Sequence, residues 1–551
     1  MMQKRRIAWI EASRFAMGWK DQNIYKGVLF PRAGPRMAGL LGRLGHEVEV
    51  ISGELSEISP FEIARNFDVA CLSMLSNTTP HSLILGKQLT NYGMKHVVGG
   101  GYQFSHNAVT SETLAPTDEA LDFIPYVVRG EGYQSLPALL EAWEGKRALT
   151  SVGGLSYWSG NEKIHNFVPP LMSKDEINHL PLPLWEKVRD HRKMRVLSVH
   201  GMQGCPRNCS WCAVWTRDGR RNRNTDAALV VDEMEKGLSL GHFHHVFMSA
   251  DNFTVIERWA REVCEEIIRR GIRIGWTCQA EVRSALNRDL IALMARAGCE
   301  RWCIGLESTS PEALKNSNKS QNLLDTSQAI RNLQNAGIKI HGMFIVGLPG
   351  DNKETLDATL RWAKRMNLDS VQFLCLSDLP GSKDYENLRL WEKAFQPFKG
   401  TYKVLNWLFV NGHYARLGNE ALTLADVQQA CISLMKRFYS ASSLAQSLFL
   451  PRWTDFRHSL DSGFGLMRSA AMAFKQSWLT AYLRFQGFVL TRQWDKMPLN
   501  QMYRKLLTYP HLAERIAQDL LSHIPKEWLA VLDQVETERR SREKEALVAC
   551  Q

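Results

Sequence analysis

Gly201-Met202-Gln203-Gly204-Cys205-Pro206-Arg207-Asn208-Cys209-Ser210-Trp211-Cys212 sets three cysteines in the spacing Cys-x3-Cys-x2-Cys. It follows directly on an apolar run at 195–200 that reads as a strand. Three thiolates on one short loop can each hold one iron of a cubane, because iron–sulfur clusters are ligated by deprotonated cysteine. The fourth iron then keeps an open position, the feature that separates catalytic from structural zinc sites as well. Cys205, Cys209 and Cys212 are therefore the candidate metal ligands. Two other readings stand beside this one: a zinc knuckle using His200 as fourth ligand, or three unrelated structural cysteines. Zinc sites usually add a second cysteine pair at a distance, and the sequence shows none.

Working outward, apolar runs at 195–200, 245–249, 272–277, 301–307, 338–346 and 371–377 alternate with helical stretches. Six βα units in this length suit an incomplete barrel. Upstream, runs at 7–11, 47–52, 69–75, 96–99 and 126–129 alternate in the same way, which predicts a parallel sheet covered by helices. The ends of those strands carry Ser73-Met74-Leu75, Gly99-Gly100-Gly101 and Gly130-Glu131-Gly132, where such sheets bind ligands. Residues 144–192 lack periodicity and hold Pro169-Pro170 and Pro181-Leu182-Pro183, which predicts a linker. Beyond Pro380-Gly381 the pattern turns helical. The expected division is 1–143, linker 144–192, 193–382 and 383–551.

The cysteine loop, with an aromatic before its last cysteine, resembles the signature of radical S-adenosylmethionine (SAM) enzymes. Phe247-Met248-Ser249-Ala250-Asp251-Asn252-Phe253 is similar to that superfamily's second-strand segment. Gly305-Leu306-Glu307-Ser308 resembles its fourth, and Gly342-Met343-Phe344-Ile345-Val346-Gly347-Leu348-Pro349-Gly350 its fifth. The resemblance implies a [4Fe–4S] cluster whose open iron binds the amino and carboxylate groups of SAM. It further implies Ser249 and Asp251 near the methionine end, Glu307 and Ser308 near the ribose, and Gly347 and Pro349 near the adenine. One departure is Ser377-Asp378-Leu379-Pro380-Gly381-Ser382, where relatives often carry Pro-x-Pro-Gly-Thr.

The N-terminal strand ends resemble the cobalamin-binding domain often fused ahead of this barrel. Ser73 and Leu75 would then hold the nucleotide tail, and Gly99, Gly100 and Gly130 would let the cofactor pass close to the backbone. The Asp-x-His-x-x-Gly motif that ligates cobalt elsewhere is absent; His81 and His106 lie near these loops, and neither is assigned to cobalt. The implied fold is α/β: a doubly wound, Rossmann-like cobalamin-binding domain, a partial (β/α)6 radical SAM barrel and a helical C-terminal domain. Arg437-Phe438-Tyr439-Ser440 and its surroundings are loosely similar to the tails of hopanoid methylases and of the anaerobic Mg-protoporphyrin ester cyclase. The implied reaction is SAM-dependent, cobalamin-assisted methylation of an unactivated carbon or phosphorus. Alternatives are an oxidative cyclisation, transfer of another SAM fragment such as 3-amino-3-carboxypropyl, or a sensing or carrier role without turnover. No catalytic general base is assigned.

Composition narrows the classes. With 551 residues, two or three domains are expected. Hydrophobic residues at 44% and charged residues at 23% exclude disordered and collagen-like chains. Eleven cysteines are too sparse for a disulfide scaffold. The net charge of +11 comes without a Lys/Arg block or a helix-turn-helix signal, so nucleic acid is not an expected partner. No apolar run is long enough to span a bilayer, and the basic start precedes too short an apolar run for a signal peptide, so a cytoplasmic location is expected. Residues 401–520 carry 14 Lys/Arg against 7 Asp/Glu, with Trp407, Trp453, Trp478 and Trp494 among them. Phe464, Met467, Ala471, Phe474, Trp478, Tyr482, Phe485 and Val489 fall on one helical face. That face is expected to pack on the barrel, with peripheral contact to an anionic membrane as the other reading. The remaining expected partners are a small or lipid-like substrate and an external electron donor of flavodoxin or ferredoxin type.

Overall fold

The structure is a computed structural model; it describes residues 3–12, 33–53, 57–104, 111–387, 389–449, 466–509, 511 and 513–549. His106, Trp453 and Phe464 lie outside the described residues. Two sheets carry the molecule. The first has the order β2-β1-β3-β4-β5-β6-β7. Its strands are β1 (Arg6–Ala12), β2 (Glu47–Gly53), β3 (Val69–Ser73), β4 (Val97–Gly100), β5 (Tyr126–Val128), β6 (Leu155–Ser159) and β7 (Glu162–His165). The first five run parallel, in the doubly wound order whose ligand crevice lies where the strand order reverses, between β1 and β3. β3 is buried along Val69, Ala70, Cys71 and Leu72, the continuous apolar run of a strand covered on both faces.

The stretch expected to be a linker does more. β6 and β7 form an antiparallel hairpin around Gly160 (φ +58°) and extend the first sheet. Downstream, Leu184 N–H donates to Pro35 O and Arg189 N–H to Val50 O, while Trp185 is buried. Its prolines marked turns between short elements, and elements of four or five residues are too brief to show periodicity.

The second sheet has the order β15-β14-β13-β12-β11-β8, parallel throughout. Its strands are β8 (Val196–Val199), β11 (His245–Met248), β12 (Trp276–Ala280), β13 (Cys299–Glu307), β14 (Lys339–Val346) and β15 (Ser370–Cys375). Between β8 and β11 a two-stranded ribbon pairs β9 (Met202–Gln203) with β10 (Arg223–Asn224). The sheet is the six-stranded open barrel expected. Trp276, Trp302, Ile304 and Ile340 pack fully buried beneath the outer helices. Those helices start at side-chain caps: Asn287, Asn322 and Asn352 each accept the N–H three residues on. β12 begins four residues later than the apolar pattern suggested. Ile272 and Ile274 do pack on the core, but pairing with Val246 and Cys299 starts at Trp276.

The C-terminal part is helical and touches both sheets. Tyr439 protects the edge strand β15: its Oη accepts from Val371 N–H (2.8 Å) and donates to Val371 O (2.6 Å). Farther on, the helix Lys526–Ala549 returns to the first sheet, where Trp528 lies edge-on to the His81 ring and Lys87 pairs with Glu538 at 2.6 Å.

The helix Leu466–Lys496 corrects the expected packing. Its aromatic row faces outward: Met467 is 88% exposed, Trp478 65%, and Phe474, Tyr482 and Phe485 about half. The opposite face packs instead. Thr480 Oγ1 donates to Asp369 (2.6 Å), and buried Arg484 donates to Leu368 O and Asn367 Oδ1 (both 2.8 Å). Gly487 admits the Tyr439 ring, which stands 2.5 Å from where a Cβ would be. No helix among the described residues is long and apolar enough to cross a membrane.

The two faces should respond oppositely to substitution. Gly487→Val should lower unfolding stability by about 1–3 kcal/mol through overpacking against Tyr439, whereas Trp478→Ser should stay within about 0.5 kcal/mol. Denaturant midpoints compare them, and equal losses would place the aromatic face inside.

Candidate active site

The cysteine loop is closed at its base by the β9–β10 ribbon. Gly204, φ +85°, opens it, and a Cβ there would stand 2.6 Å from Arg221 O and 2.9 Å from Asp218 O and Gly219 O. Only glycine fits without moving that backbone. Cys205 N–H donates to Gly219 O (3.1 Å), Trp215 Nε1 to Cys209 O (3.1 Å) and Val214 N–H to Cys212 Sγ (3.5 Å). From outside, Ser210 Oγ donates to Asp384 (2.7 Å), Thr216 Oγ1 to Gly381 O, and Arg207 pairs with Glu281 through two 2.9 Å bonds. The Leu379-Pro380-Gly381-Ser382 turn, which departs from the resembling pattern, thus supports the loop.

The three thiols influence one another electrostatically. Burial pushes Cys212 up to about 12, and charge on Cys209, Asp251 and Cys205 adds to it. Burial also raises Cys205 and Cys209; for Cys209 a nearby Lys319 opposes the shift. Thiols held neutral in the bare protein give up their protons on binding metal, so metal binding supplies the free energy of their ionisation.

The other expected residues surround this loop in two groups. Asp251 Oδ2 accepts the Gly204 N–H at 3.2 Å, and Ser249 is buried with its N–H and hydroxyl both donating to Val199 O (2.8 and 3.0 Å). The strand-two segment therefore holds the base of the cysteine loop. Glu307 sits at φ +59°, a strained conformation for a side-chain-bearing residue, where β13 shifts register against β14. It pairs with Lys319 at 3.1 Å. Burial works against the Lys319 charge, but the Glu307 carboxylate, together with negative charge on Cys209 and Cys212 when they ionise, outweighs it and holds the amine above its usual value. Ser308 Oγ reaches Asp351 at 3.4 Å, and Asp351 accepts the Leu348 N–H at 3.0 Å, tying the fourth-strand segment to the Gly347-Leu348-Pro349 turn. Burial raises Asp351 to about 6 against the hydrogen bonds it accepts.

At the first sheet, Ser73, Leu75, Gly99, Gly100 and Gly130 all lie at the carboxyl edge. They differ in what they face. A Cβ on Gly99 would meet Ile124 and Met74 at 2.6 and 2.8 Å, so that glycine serves packing. A Cβ on Gly130 (φ +79°) would meet Val168 at 2.8 Å. A Cβ on Gly100 would meet Val128 alone, at ordinary contact distance from 3.4 Å, and Leu75 is 45% exposed, an apolar side chain at the strand-end edge. His81 is buried and held neutral, near 3, by that burial against Trp528. The edge reaches the cysteine loop at two points: the Arg217 guanidinium stacks 3.6 Å over the Tyr102 ring, and Arg223 of β10 pairs with Glu131 at 2.6 Å.

Sequence reasoning missed Lys319, Glu281, Tyr102 and Asp384, which come from separate segments and carry no local pattern. Asp351 could have been found, since an Asp just after Pro349-Gly350 is a common turn acceptor.

Residues 199–363 match the radical SAM superfamily, a span that begins at the end of β8 and takes in the cysteine loop and the next four strands. This segment is a radical SAM domain. An uncharacterised methyltransferase of Pyrococcus horikoshii is 27% identical over 69% of this chain and 82% of that protein. The anaerobic magnesium-protoporphyrin IX monomethyl ester cyclase of Cereibacter sphaeroides is 28% identical over 59% of this chain and 53% of the cyclase. Among solved structures, the radical SAM methyltransferase TsrM of Kitasatospora setae, with cobalamin and a [4Fe–4S] cluster bound, aligns over 89% of this chain and all of that one. Its TM-score is 0.64 at 16% identity, a likeness of fold across both sheets.

Radical SAM membership makes iron content the direct check of the loop. Anaerobic reconstitution with iron and sulfide should give about four irons per chain. Replacing Cys205, Cys209 and Cys212 together with Ala should abolish that iron, and Gly204→Ala should greatly reduce it with all three cysteines intact. A triple variant that keeps its iron would place the cluster elsewhere.

Proposed function

We propose that this radical SAM protein is a cobalamin-dependent methyltransferase acting on an unactivated carbon or phosphorus. The observation that carries the reading is the meeting of the two strand-end edges. Exposed Leu75 and Gly100 lie at the same strand-end edge as Tyr102, and Tyr102 stacks on Arg217, which follows the three cysteines. A cofactor on each edge would thus face a common space. The names of the Pyrococcus and Kitasatospora relatives, both methyltransferases, support the same reading.

In this proposal Cys205, Cys209 and Cys212 hold the cluster. Ser249, Asp251, Glu307, Ser308, Gly347 and Pro349 frame SAM. Ser73, Leu75 and Gly100 line the cobalamin edge, while Gly99 and Gly130 let the neighbouring strands close up beneath it. When bound, these groups supply the electron, the hydrogen-abstracting radical and the methyl group; the chain orients them and excludes water. Glu307 and Lys319 form a partly buried ion pair whose carboxylate can accept from hydroxyl groups beside the cluster. The Arg207–Glu281 and Ser210–Asp384 bonds hold the loop so that its thiols keep one geometry. An external one-electron donor is required. The exposed aromatic row of the helix Leu466–Lys496 is the face that would meet an anionic membrane.

Methyl-labelled SAM with added methylcobalamin tests the reaction. Label in a product, with deoxyadenosine and S-adenosylhomocysteine released together, is expected; an unlabelled product or indifference to cobalamin would favour oxidative cyclisation, the Cereibacter relative being named a cyclase. For the membrane face, flotation should show binding to anionic vesicles that weakens with salt, each nearby Lys or Arg adding about 1 kcal/mol; no binding to anionic or neutral vesicles would remove that contact.

A further inference from the structure

Barrel interiors are ordinarily filled with layers of branched apolar side chains. This one encloses a cavity of about 390 Å³. Its floor is polar: His245, Thr277, Arg301, His341, Ser370 and Gln372 project into it. Its outer wall, built from the C-terminal helices, is mainly apolar through Leu408, Met435, Leu483, Leu490 and Trp494, with Asn411, His413, Gln486 and Thr491 between them. The upper end reaches Gln279, whose carbonyl accepts the N–H of Phe253 in the segment that carries Asp251. Asn77, just past the open edge of the first sheet, also lines it.

Arg301 is the one charged side chain in that lining. Among the described residues no carboxylate pairs with it, and its Nε is buried with no hydrogen-bond partner. The neighbouring polar groups are engaged with one another. His245 Nε2 bonds Thr277 Oγ1 at 2.8 Å, His341 Nδ1 bonds Ser370 Oγ at 2.9 Å, and the largely exposed Glu300 lies 3.6 Å from His245 Nδ1. Burial, reinforced by the Arg301 charge, holds both histidines neutral at neutral pH, each down to about 4. The cavity therefore carries one uncompensated guanidinium, a planar fork suited to two oxygens of one anion. SAM is not that anion. Arg301 stands six residues before Glu307 on the same strand, roughly 20 Å below it at the rise of a β-strand.

We propose that the barrel cavity binds the substrate as an elongated, mainly apolar acid whose carboxylate or phosphonate group is anchored by Arg301. The apolar body then lies along the helical wall, with its far end toward Gln279 and Asn77, between the SAM segment and the cobalamin edge. Calling this molecule the methyl acceptor rests on the reading above; the binding of an acid in the cavity does not.

The test uses the full-length, cluster-reconstituted protein without SAM or cobalamin, so its outcome is independent of methyl transfer. Three probes share one body: 4-phenylbutanoate, 4-phenylbutylphosphonate and the neutral 4-phenylbutanamide, titrated by ligand-observed NMR. At least one acid should bind ten-fold or more tightly than the amide, and the preferred acid identifies the anchored group. Arg301→Met should erase the preference while leaving amide binding, iron content and SAM binding in place. Arg301→Lys, which keeps the charge but not the fork, should retain part of it. If the Met variant does not fold, the acid-to-amide ratio in the native and Lys proteins decides. An amide that binds as well as both acids, or a folded Met variant that keeps the preference, overturns the proposal.

Discussion

Gly204 bends the chain at φ +85° where three carbonyl oxygens crowd the place of a missing side chain, and the cysteine loop closes on that point. The Asp251 carboxylate takes the Gly204 N–H, so the second barrel strand grips the loop that follows the first. β10, which completes the closure, carries Arg223, and Arg223 reaches Glu131 on the first sheet. One backbone constraint thereby sets the position of three thiols, the strand ends around them and the sheet that faces them. A longer side chain at this glycine has no space without displacing Asp218, Gly219 or Arg221.

The electrostatics follow from the same closure. Packing the loop under the Asp384 and Glu281 contacts strips water from the cysteines, which raises all three thiols in the bare protein. Lys319 is the positive counterweight, drawn into the site by Glu307 at a strained backbone position. The strain is held by the register shift of β13 on β14, in the firmly paired centre of the barrel. Below this level the barrel stays open and polar, and the C-terminal helices close its side through Tyr439 on β15.

Much of this was legible in the sequence, and the reasons are local. The cysteine spacing, the glycines at strand ends and the short apolar runs are each written within a few consecutive residues. Six barrel strands and the parallel order of the first sheet followed from them. The failures were of another kind. β6 and β7 are too short to show a period. The helix Leu466–Lys496 turns Phe474, Trp478, Tyr482 and Phe485 outward, while its other face packs Phe488 and Trp494 and leaves room at Gly487 for the Tyr439 ring. The inward face is apolar as well, through Ala481, Leu483, Phe488, Leu490 and Trp494, so an aromatic row alone does not tell which face is buried. Asp251 was expected beside SAM; its carboxylate braces Gly204. Lys319, Glu281, Tyr102 and Arg301 acquire meaning only when distant segments meet.

The central claim is that the three-cysteine loop holds a cluster with one iron left open to SAM. Electron paramagnetic resonance of the reduced, reconstituted protein, recorded with and without SAM, addresses it most directly. The account predicts a [4Fe–4S] signal whose g values shift when SAM is added, because the ligand enters the coordination sphere of the fourth iron. A cluster signal that SAM leaves unchanged, or stoichiometric zinc in place of iron, would contradict it.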